Sequence, residues 1–304
     1  MGSRVNTLTE VIDPMHALRH TLLPLPPVVQ RSDQRIGLAL SGGFARGIAH
    51  IGVLKVLEEE KIPIHFVAGS SVGAFIGALY CAGATAREME QIACRVRRRH
   101  FAQLTISRYG FFSNRRMIKF LNKILKVRSF EELEIPLAVT ATEISTGDGV
   151  VFRSGPLAEA VRASCAYPGV FPPVEAGGHL LVDGGLAHPV PTQPLREMGP
   201  DRIIAVHLRN RTGLGGPRNI FDVIAKSFAI AQQRSGAVWQ SLADLVVEPE
   251  VRQFKYDDFE RTAELVRAGE TAMRAALPRA IRWFEEKLNP EMAEQSRLYV
   301  PIAP

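Results

Sequence analysis

The sequence predicts an α/β fold of three layers, an α/β/α sandwich with a mostly parallel central sheet. Two patterns carry this prediction. Short apolar runs, typical of strands buried in a parallel sheet, alternate with longer segments that show helical spacing of apolar residues. Glycine-containing turns connect the first two of these strands directly to the helices that follow them, as in the β–α units of a parallel sheet.

Composition limits the size and organisation of this fold. The chain has 304 residues, of which 46% are hydrophobic, which allows a substantial core and suits one large α/β domain or two small ones. Four prolines and little periodicity mark residues 1–33 as an N-terminal arm. No internal repeat or clear second domain follows, so we expect residues 34–304 to form one domain with a C-terminal helical region.

Two strand–turn–helix units begin this domain. The first strand, Arg35–Leu40, runs into a glycine-rich turn and a helix over Ile48–Glu59. The second strand, Ile64–Ala68, runs through another turn into a helix over Ala74–Tyr80. Each turn therefore opens onto a helix N-terminus, where free N–H groups and the helix dipole favour negative charge.

Further strands and helices follow along the chain. The remaining predicted strands are Ile135–Thr142, Val150–Phe152, His179–Val182, Arg202–Leu208 and Leu245–Glu248. The remaining predicted helices are Ala84–Arg99, Asn114–Lys126, Pro156–Ala163, Pro191–Met198, Asn219–Ser241 and Asp257–Lys287. The turn Gly147–Gly149 predicts a hairpin between the first two of these strands. The aromatic segment Phe101–Phe112 is irregular, and we interpret it as a packed loop in preference to a lid or a membrane-facing segment.

Ser71 is the candidate nucleophile. It is the centre of the pattern G-x-S-x-G, between Gly69 and Gly73, and it lies between a predicted strand and a predicted helix. That context is typical of a sharp turn that holds a nucleophilic serine out of the sheet edge, and the two glycines leave room for the turn. The alternative is chance, because Gly-Ser-Ser is also ordinary loop composition. A nucleophilic serine further requires a base and an oxyanion hole.

The glycine-rich turn Ser41–Gly47 is the candidate oxyanion hole. A nucleotide site would require G-x-x-x-x-G-K-[ST] or G-x-G-x-x-G, and neither pattern is present. A plain tight turn is the simpler alternative. Because a nucleophile motif follows on the next strand, we favour a turn whose N–H groups, around Gly43 and Phe44, bind an oxyanion.

Asp183 is the candidate base because it ends an apolar strand and precedes Gly184 and Gly185. Sites in open α/β sheets gather at the carboxyl ends of strands, although Asp-Gly-Gly is also an ordinary strand-ending turn. A Ser–His–acid arrangement would instead use a histidine. His50, after the glycine-rich turn, and His188, beyond Asp183, are the two candidates for that role.

Charge and cysteine usage bear on partners and location. The formal net charge of +6 suits an anionic partner, either nucleic acid or an anionic lipid surface, and the main basic cluster is Arg95–Arg99. We interpret that cluster as a solvated helix end in preference to either partner. Three cysteines without metal-ligand spacing indicate reduced thiols in a cytoplasmic protein. We expect no membrane-spanning segment and no signal peptide.

Three stretches together resemble the patatin-like phospholipase family, to which cytosolic phospholipase A2 and neuropathy target esterase are related. Leu40–Leu54 is similar to the family's glycine-rich oxyanion segment, and Gly69–Gly73 is similar to its nucleophile turn. Ala163–Pro173, followed by Leu181–Gly185, is similar to its proline loop and its Asp-Gly-Gly motif. The order and spacing of these motifs also match, and the resemblance covers roughly residues 35–210.

The resemblance implies a patatin-like catalytic domain that hydrolyses carboxylic esters of phospholipids, lysophospholipids or other acyl esters. It implies a Ser–Asp dyad without histidine, in which Ser71 is the nucleophile and Asp183 is the base. The oxyanion hole would be formed by N–H groups of Gly42, Gly43 and Phe44. We therefore expect a lipid or acyl-ester substrate, no cofactor, no metal and no nucleic acid. The expected location is cytoplasmic, with peripheral contact to a membrane surface as an option.

The same motifs assign supporting positions around the dyad: Arg46, Gly47, Gly69, Gly73, Gly184 and Gly185. The chain departs from the family pattern at two positions. Phe44 stands where a third glycine is usual, which affects the oxyanion geometry and the size of the acyl pocket, and His188 stands where asparagine is common. The alternatives are a lipid acyltransferase with the same dyad and a non-enzymatic basic protein that binds membrane or nucleic acid.

Overall fold

The computed structural model describes residues 34–97, 100, 103–209, 216–217 and 219–285. The predicted N-terminal arm lies outside the described residues, and so do Arg98 and Arg99 of the basic cluster. Within the described ranges, no helix is both long enough and apolar enough to cross a bilayer.

Strands and helices alternate through most of the described chain. The strands are β1 (Ile36–Leu40), β2 (Phe66–Ser70), β3 (Gln103–Ser107), β4 (Gly110–Ser113), β5 (Leu137–Glu143), β6 (Gly149–Phe152), β7 (Val174–Ala176), β8 (His179–Asp183), β9 (Arg202–Val206) and β10 (Leu245–Val247). The helices are α1 (Ala49–Glu59), α2 (Val72–Cys81), α3 (Ala86–Arg95), α4 (Arg115–Ile124), α5 (Leu157–Ser164), α6 (Thr192–Arg196), α7 (Ile220–Arg234), α8 (Gly236–Ser241) and α9 (Thr262–Glu285). Short 3-10 turns lie at Phe44–Ile48, Phe130–Glu132 and Phe259–Arg261.

The central sheet is mostly parallel, as predicted. Its strand order is β10-β9-β1-β2-β5-β8-β7, and β6 also pairs with β5. The neighbours from β10 to β5 are all parallel, with Leu38 of β1 opposite both Val67 of β2 and Ile204 of β9. Strands β6, β7 and β8 pair antiparallel with their neighbours. The antiparallel part therefore lies at one end of the sheet.

Helices cover both faces of the sheet, which confirms the three layers. Successive side chains of a strand point to opposite faces, and in β1 the larger side chains Leu38 and Leu40 pack in one core with apolar residues of α1, α2 and α9. Ala39 faces the other way, into a second core that contains Leu195 of α6 and Trp239 of α8. The small side chain on that face lets the short helix α6 lie close to the sheet.

Two strands meet end to end beside β5, and this arrangement positions the site. Residues 139–140 of β5 pair with both β2 and β6, whereas residues 141–142 pair with both β6 and β8. Because a strand has only two edges, β2 and β8 must share the edge opposite β6. Ser70 is paired with Thr140 and Asp183 with Ala141, so the carboxyl ends of β2 and β8 face each other.

The prediction of an irregular loop at Phe101–Phe112 was wrong. Strands β3 and β4 form an antiparallel hairpin there, with an irregular register between Leu104 and Ser107. The hairpin is supported by partners far away in sequence: Gly110 forms a bridge with Gly169, and the N–H groups of Phe111 and Phe112 donate to the carbonyl of Val170. The residues of β3, Gln103–Ser107, alternate between polar and apolar, so the local sequence does contain a strand pattern, which the interpretation as a loop overlooked.

Helix boundaries in the C-terminal region also differ from the prediction. The predicted helix Asn219–Ser241 is divided into α7 and α8, because Ser235 ends α7 and its hydroxyl bonds back to the carbonyl of Gln232. The last helix begins at Thr262, after a 3-10 turn, and not at Asp257. Strand β7 was not predicted, because its three residues directly follow Pro172 and Pro173 and do not form an apolar run.

Candidate active site

Ser71 occupies a strained turn between β2 and α2. Its backbone φ is 55° and its ψ is −124°, a conformation that residues other than glycine rarely adopt. The flanking glycines are required by close packing: a Cβ on Gly69 would lie 2.5 Å from the Ala74 nitrogen, and one on Gly73 would lie 2.2 Å from the Leu40 carbonyl oxygen. The predicted strand–turn–helix unit is present, and it holds the Ser71 side chain at the carboxyl end of the sheet.

Ser71 and Asp183 are hydrogen-bonded to each other. The Ser71 hydroxyl donates to Asp183 Oδ2 at 2.7 Å. The other carboxylate oxygen, Oδ1, accepts the N–H of Gly185 at 2.9 Å. Asp183 is 2% exposed, so water does not screen its charge at this position. The pair therefore has the contact that proton transfer from a serine requires.

The backbone of Asp183 is held by the loop after α5 and by β5. Its N–H donates to the carbonyl of Ala166 at 3.0 Å, and its carbonyl accepts the hydroxyl of Thr142 at 2.9 Å. A Cβ on Gly184 would lie 2.1 Å from the carbonyl oxygen of Thr140, so only glycine fits there. The Asp-Gly-Gly motif therefore combines close backbone packing at Gly184 with an N–H donor at Gly185.

Burial changes the protonation equilibrium of Asp183. Desolvation of the charged form raises the pKa of the carboxyl group from its ordinary value of 3.8 to about 6, although the hydrogen bonds from Ser71 and Gly185 act in the opposite direction. At neutral pH the group is mostly ionised and accepts protons more readily than an exposed aspartate. This is the property expected of a general base.

The glycine-rich turn lies directly beside Ser71. A Cβ on Gly42 would be 3.3 Å from Ser71 Cβ, so the backbone of the turn and the serine are in contact. Within the described part of the chain, the N–H groups of Gly42 and Gly43 have no hydrogen-bond acceptor. Phe44, which stands where the family usually has a third glycine, has a φ of 52°. Glycine adopts this left-handed conformation more easily than phenylalanine does.

Three hydrogen bonds hold Ser41 at the start of this turn. The N–H of Ser41 donates to the carbonyl of Val206 at 3.2 Å, and its hydroxyl accepts the N–H of Leu208 at 3.0 Å. Its carbonyl accepts a hydrogen bond from His50 Nε2 at 2.9 Å. Farther along the turn, a Cβ on Gly47 would lie 2.3 Å from Val72 Cγ1, so glycine allows close approach to α2.

Neither candidate histidine hydrogen-bonds to the dyad. His50 is fully buried, and desolvation lowers its pKa to about 4, so the neutral ring donates from Nε2 to the Ser41 carbonyl. The imidazole of His188 packs on β6, where a Cβ on Gly149 would lie 2.2 Å from Nε2. His188 reaches the nucleophile turn only through its carbonyl, which accepts the hydroxyl of Ser70 at 2.6 Å. Both histidines therefore support the neighbouring backbone.

Sequence reasoning did not find three polar residues at the site. Ser164, the last residue of α5, accepts the N–H of Ser71 at 2.7 Å. Thr142 holds the carbonyl of Asp183, and Thr140 is hydrogen-bonded to the Ser70 hydroxyl at 2.7 Å. Ser164 lies within the proline-loop motif and both threonines lie on a predicted strand, but nothing in those local patterns indicates a partner.

Arg46, a predicted supporting residue, is buried beneath the glycine-rich turn. It is 1% exposed, and its guanidinium carbon lies 4.1 Å from the centre of the Tyr256 ring. Burial lowers the pKa of this guanidinium, and Tyr256 counteracts that effect. The Phe44 ring makes edge contacts with Tyr167 and Tyr256, with ring centres 4.8 and 6.0 Å apart. The contacts with Tyr167 and Tyr256 therefore pack Arg46 and Phe44 of the glycine-rich turn against neighbouring segments.

An apolar cavity leads away from Ser71. Its volume is about 100 Å³, several times the roughly 10–15 Å³ that one water needs. Aliphatic and aromatic side chains from α1, α2, α3 and the segments around them line it, among them Ile51, Ile76, Leu79, Met89, Ile92, Ala93, Met117 and Phe259. Cys165 also lines it, and burial together with nearby Asp183 raises the pKa of that thiol, which keeps it protonated.

A second, smaller pocket lies on the other side of Ser71. Asp183, Gly42, Tyr167 and Gln232 are among its lining residues, whereas Asp183 does not line the apolar cavity. Ser71 and Phe44 line both spaces. The nucleophile therefore stands between an apolar cavity and a polar pocket that contains the carboxylate.

Of the predicted basic cluster, the structure describes Arg95, which ends α3, and Arg97, which follows it. Arg97 caps that helix end, because its guanidinium donates to the carbonyls of Cys94 and Val96. This geometry supports the interpretation of a helix end. In the described ranges, no group of three or more His, Cys, Asp or Glu side chains is arranged to hold a metal ion.

A family model for the patatin-like phospholipases matches residues 38–196, which is more than half of the chain. The chain belongs to the patatin-like phospholipase family. The matched range contains the glycine-rich turn, Ser71 and Asp183. The patatin-like motifs quoted from the sequence are therefore the parts of the chain that the fold brings together.

Relatives of this patatin-like chain come from bacteria, fungi and animals. An uncharacterized NTE family protein of Mycobacterium tuberculosis is 38% identical over 192 residues, 61% of this chain and 53% of that protein. Lysophospholipase NTE1 of Cryptococcus neoformans is 39% identical over 57% of this chain and 11% of that protein. Patatin-like phospholipase domain-containing protein 6 of Mus musculus is 35% identical over 56% of this chain and 13% of that protein. The chain thus spans about half the length of the mycobacterial relative and a small part of the others.

Among solved structures, VipD from Legionella pneumophila matches with a TM-score of 0.52 at 15% sequence identity. The match covers 82% of this chain and 67% of VipD. At that level of identity the similarity shows a shared patatin-like fold alone.

Proposed function

We propose that this chain hydrolyses carboxylic ester bonds of lipids through a Ser71–Asp183 dyad. The observation that carries the proposal is the 2.7 Å hydrogen bond from the Ser71 hydroxyl to the buried Asp183, at the mouth of an apolar cavity. Membership of the patatin-like family and a relative named as a lysophospholipase support a phospholipid, lysophospholipid or similar acyl ester as substrate.

In the first half-reaction, Asp183 takes the proton of Ser71 while the serine oxygen attacks the acyl carbonyl carbon. The carbonyl oxygen becomes an oxyanion, which N–H groups of Gly42, Gly43 and Phe44 stabilise. One such donor typically contributes about 3 kcal/mol to the transition state. The ester C–O bond then breaks, and Asp183 returns its proton to the departing alcohol oxygen. The acyl group remains on Ser71.

In the second half-reaction, water enters the position of the departed alcohol. Asp183 takes a proton from this water, whose oxygen attacks the acyl carbon on Ser71. The collapse of the second tetrahedral intermediate releases the fatty acid, and the proton passes from Asp183 back to the serine oxygen. Product analysis with an added lipid alcohol distinguishes water from an alcohol as the acyl acceptor.

The two pockets bind different parts of the substrate. The alcohol oxygen and the water must both be reached by Asp183, so they belong in the polar pocket that this residue lines. The acyl chain then occupies the apolar cavity, where burial of each methylene contributes about 0.8 kcal/mol. This assignment predicts that residues of the cavity control acyl-chain length.

Substitution of Ala93 by Phe should shift the preference toward short acyl chains. Ala93 lines the apolar cavity from α3, so the larger ring excludes acyl methylenes from it, and exclusion of about two methylenes costs about 1.6 kcal/mol. We expect about tenfold lower kcat/KM for a long-chain p-nitrophenyl ester and little change for the butyrate ester. The butyrate ester is the internal control for folding. An equal loss on both esters would contradict the assignment of the cavity to the acyl chain.

A serine-directed fluorophosphonate tests the nucleophile directly. We expect one adduct, mapped to Ser71 by mass spectrometry, and no labelling of Ser71→Ala. Ser70→Ala is the matched control, since that neighbouring hydroxyl is held by Thr140 and by the carbonyl of His188. Ser70→Ala should still be labelled. An adduct on Ser70, or an unlabelled wild-type chain, would refute the proposed nucleophile.

A further inference from the structure

Helix α7 has one face toward the candidate site and another toward solvent. Its inner face lines the polar pocket: Gln232 donates to the carbonyl of Gly185 at 3.1 Å, and the Phe228 ring lies 4.7 Å from that of Tyr167. Its outer face carries three exposed apolar side chains at helical spacing, Ile220, Val223 and Ile230, with exposed fractions of 57%, 43% and 53%. A surface helix normally presents polar residues to water, so this outer stripe indicates an apolar partner.

The hairpin β3–β4 carries a second group of exposed apolar side chains. Leu104, Tyr109 and Phe111 are 73%, 54% and 50% exposed. We refer to these three residues and the outer stripe of α7 together as the apolar rim. Both parts lie against one loop, because Gly110 of the hairpin bridges Gly169, and a Cβ on Gly169 would lie 2.6 Å from Ile224 of α7.

The apolar rim is continuous with the candidate active site. The loop that joins its two parts continues into Phe171, which lines the apolar cavity, and it begins at Tyr167, which lines the polar pocket. The same loop therefore contacts the apolar rim and contributes residues to both spaces beside Ser71. This position argues for a lipid surface as the partner.

The charge of the surrounding segment specifies the kind of lipid surface. Residues 95–128 contain eleven of the 37 Lys and Arg residues and none of the 31 Asp and Glu residues, so the rest of the chain is net negative. Among them, Arg108 lies over the Tyr109 ring at 4.6 Å, and Arg115 and Arg116 are exposed at the start of α4. Basic and apolar side chains together are typical of binding to anionic lipid. A second copy of this chain would oppose like charges at the same place.

We propose that the apolar rim docks the protein on an anionic lipid bilayer, with the hairpin and the outer stripe of α7 inserted among the lipid headgroups. Docking then presents the opening between the two pockets to ester bonds at the bilayer surface. The choice of a lipid-ester substrate rests on the proposed function, but vesicle binding does not require catalysis and is measured separately.

Vesicle flotation of the full chain tests the docking surface. We use vesicles of phosphatidylglycerol and phosphatidylcholine, and compare the wild type with Leu104→Ser/Tyr109→Ser/Phe111→Ser and with Ile220→Ser/Val223→Ser. Each variant should bind roughly tenfold or more weakly, since it removes apolar area from the interface. Phosphatidylcholine vesicles, or about 1 M salt, should weaken binding by the wild type, because charge attraction is lost or screened.

Matched controls lie at the end of α9. The guanidinium carbon of Arg202, the first residue of β9, lies 5.8 Å from the centre of the Trp283 ring. This end of α9 therefore lies at the amino ends of the parallel strands, whereas Ser71 lies at their carboxyl ends. Ile281→Ser and Arg279→Gln should therefore bind vesicles like the wild type, whereas Arg115→Gln/Arg116→Gln should bind about tenfold or more weakly. Equal loss in the α9 variants would overturn the proposal.

Two further readouts separate the possible outcomes. All rim variants should hydrolyse a soluble short-chain ester at the wild-type rate, so loss on vesicles alone supports docking. Wild-type vesicle binding by both rim variants refutes the docking surface, and so does a change in oligomeric state without a change in vesicle binding, which would identify a second copy as the occupant. A wild-type chain that docks but hydrolyses no soluble or vesicle ester would refute the proposed function and leave docking supported.

Discussion

Replacement of Ser71 by alanine should lower the rate of ester hydrolysis by about 10⁴-fold or more, with the fold intact. The substitution removes the hydroxyl that donates to Asp183 at 2.7 Å, and with it the oxygen that we propose forms the acyl-enzyme. Alanine is held at the positive φ of 55° with about the same strain as serine, so the turn itself should persist. Hydrolysis of p-nitrophenyl butyrate, followed with a thermal melt of the same sample, gives both quantities.

Ser71→Gly provides a complementary control for this first prediction. Glycine adopts positive φ without a Cβ penalty, so this variant should unfold at a higher temperature than Ser71→Ala while it is equally inactive. A gain in stability together with a loss of activity in Ser71→Gly would show that the positive φ of residue 71 costs stability in the active protein. A folded Ser71→Ala protein with turnover within tenfold of the wild type would exclude Ser71 as nucleophile.

The strand–turn–helix unit at Ser71 could be predicted because its determinants are local. Gly69 and Gly73 are needed where the turn packs against its own helix and against β1, and both lie within two residues of the serine. The parallel core was equally accessible, since β1 and β2 are short apolar runs of a kind that buried parallel strands require.

The contact between Ser71 and Asp183 could not be derived from local pattern. It depends on β2 and β8 sharing one edge of β5, a register that links residues more than 100 positions apart. The family resemblance supplied the pairing instead. Ser164 was missed for the same reason, because its hydroxyl meets the Ser71 N–H only after α5 packs beside the turn. The hairpin at residues 103–113 is different, because the alternation of polar and apolar residues over Gln103–Ser107 is a local strand signal that was available in the sequence.

The roles of the two histidines illustrate what geometry adds to sequence. Both His50 and His188 were candidates for the base of a Ser–His–acid arrangement. The structure instead directs the His50 ring to the Ser41 carbonyl and packs the His188 ring on Gly149. His50 is fully buried and His188 is partly buried, and this desolvation lowers both pKa values and makes protonation of either ring less favourable.

The pH dependence of activity should follow Asp183, with the rate falling below about pH 6 and constant above it. The carboxylate must be ionised to take the serine proton, and burial raises its pKa to about 6. An ordinary imidazole titrates at about 6.5, so a pH profile does not separate an aspartate base from a histidine base. Substitution of each residue is the experiment that does.

Asp183→Asn should lower activity nearly as far as Ser71→Ala. The amide keeps the size of the carboxyl group, and its oxygen can still accept the N–H of Gly185, but it cannot take the proton of Ser71. Members of one catalytic unit are strongly non-additive, so the double variant should be no slower than either single variant. Rates for the two single variants and the double variant, measured with the same soluble ester, check this expectation.

Stability separates a lost base from a lost fold in Asp183→Asn. Because burial raises the pKa of Asp183 in the folded state, the folded protein holds that proton more tightly, and wild-type stability falls as the pH rises from about 4 to about 6. The amide does not titrate, so the variant should melt at pH 8 at the wild-type temperature or above. His188→Ala is the matched control: it removes a ring that contacts Gly149, so we expect activity within about tenfold of the wild type. A loss in His188→Ala as deep as that in Ser71→Ala, with Asp183→Asn still active, would assign the base to the histidine.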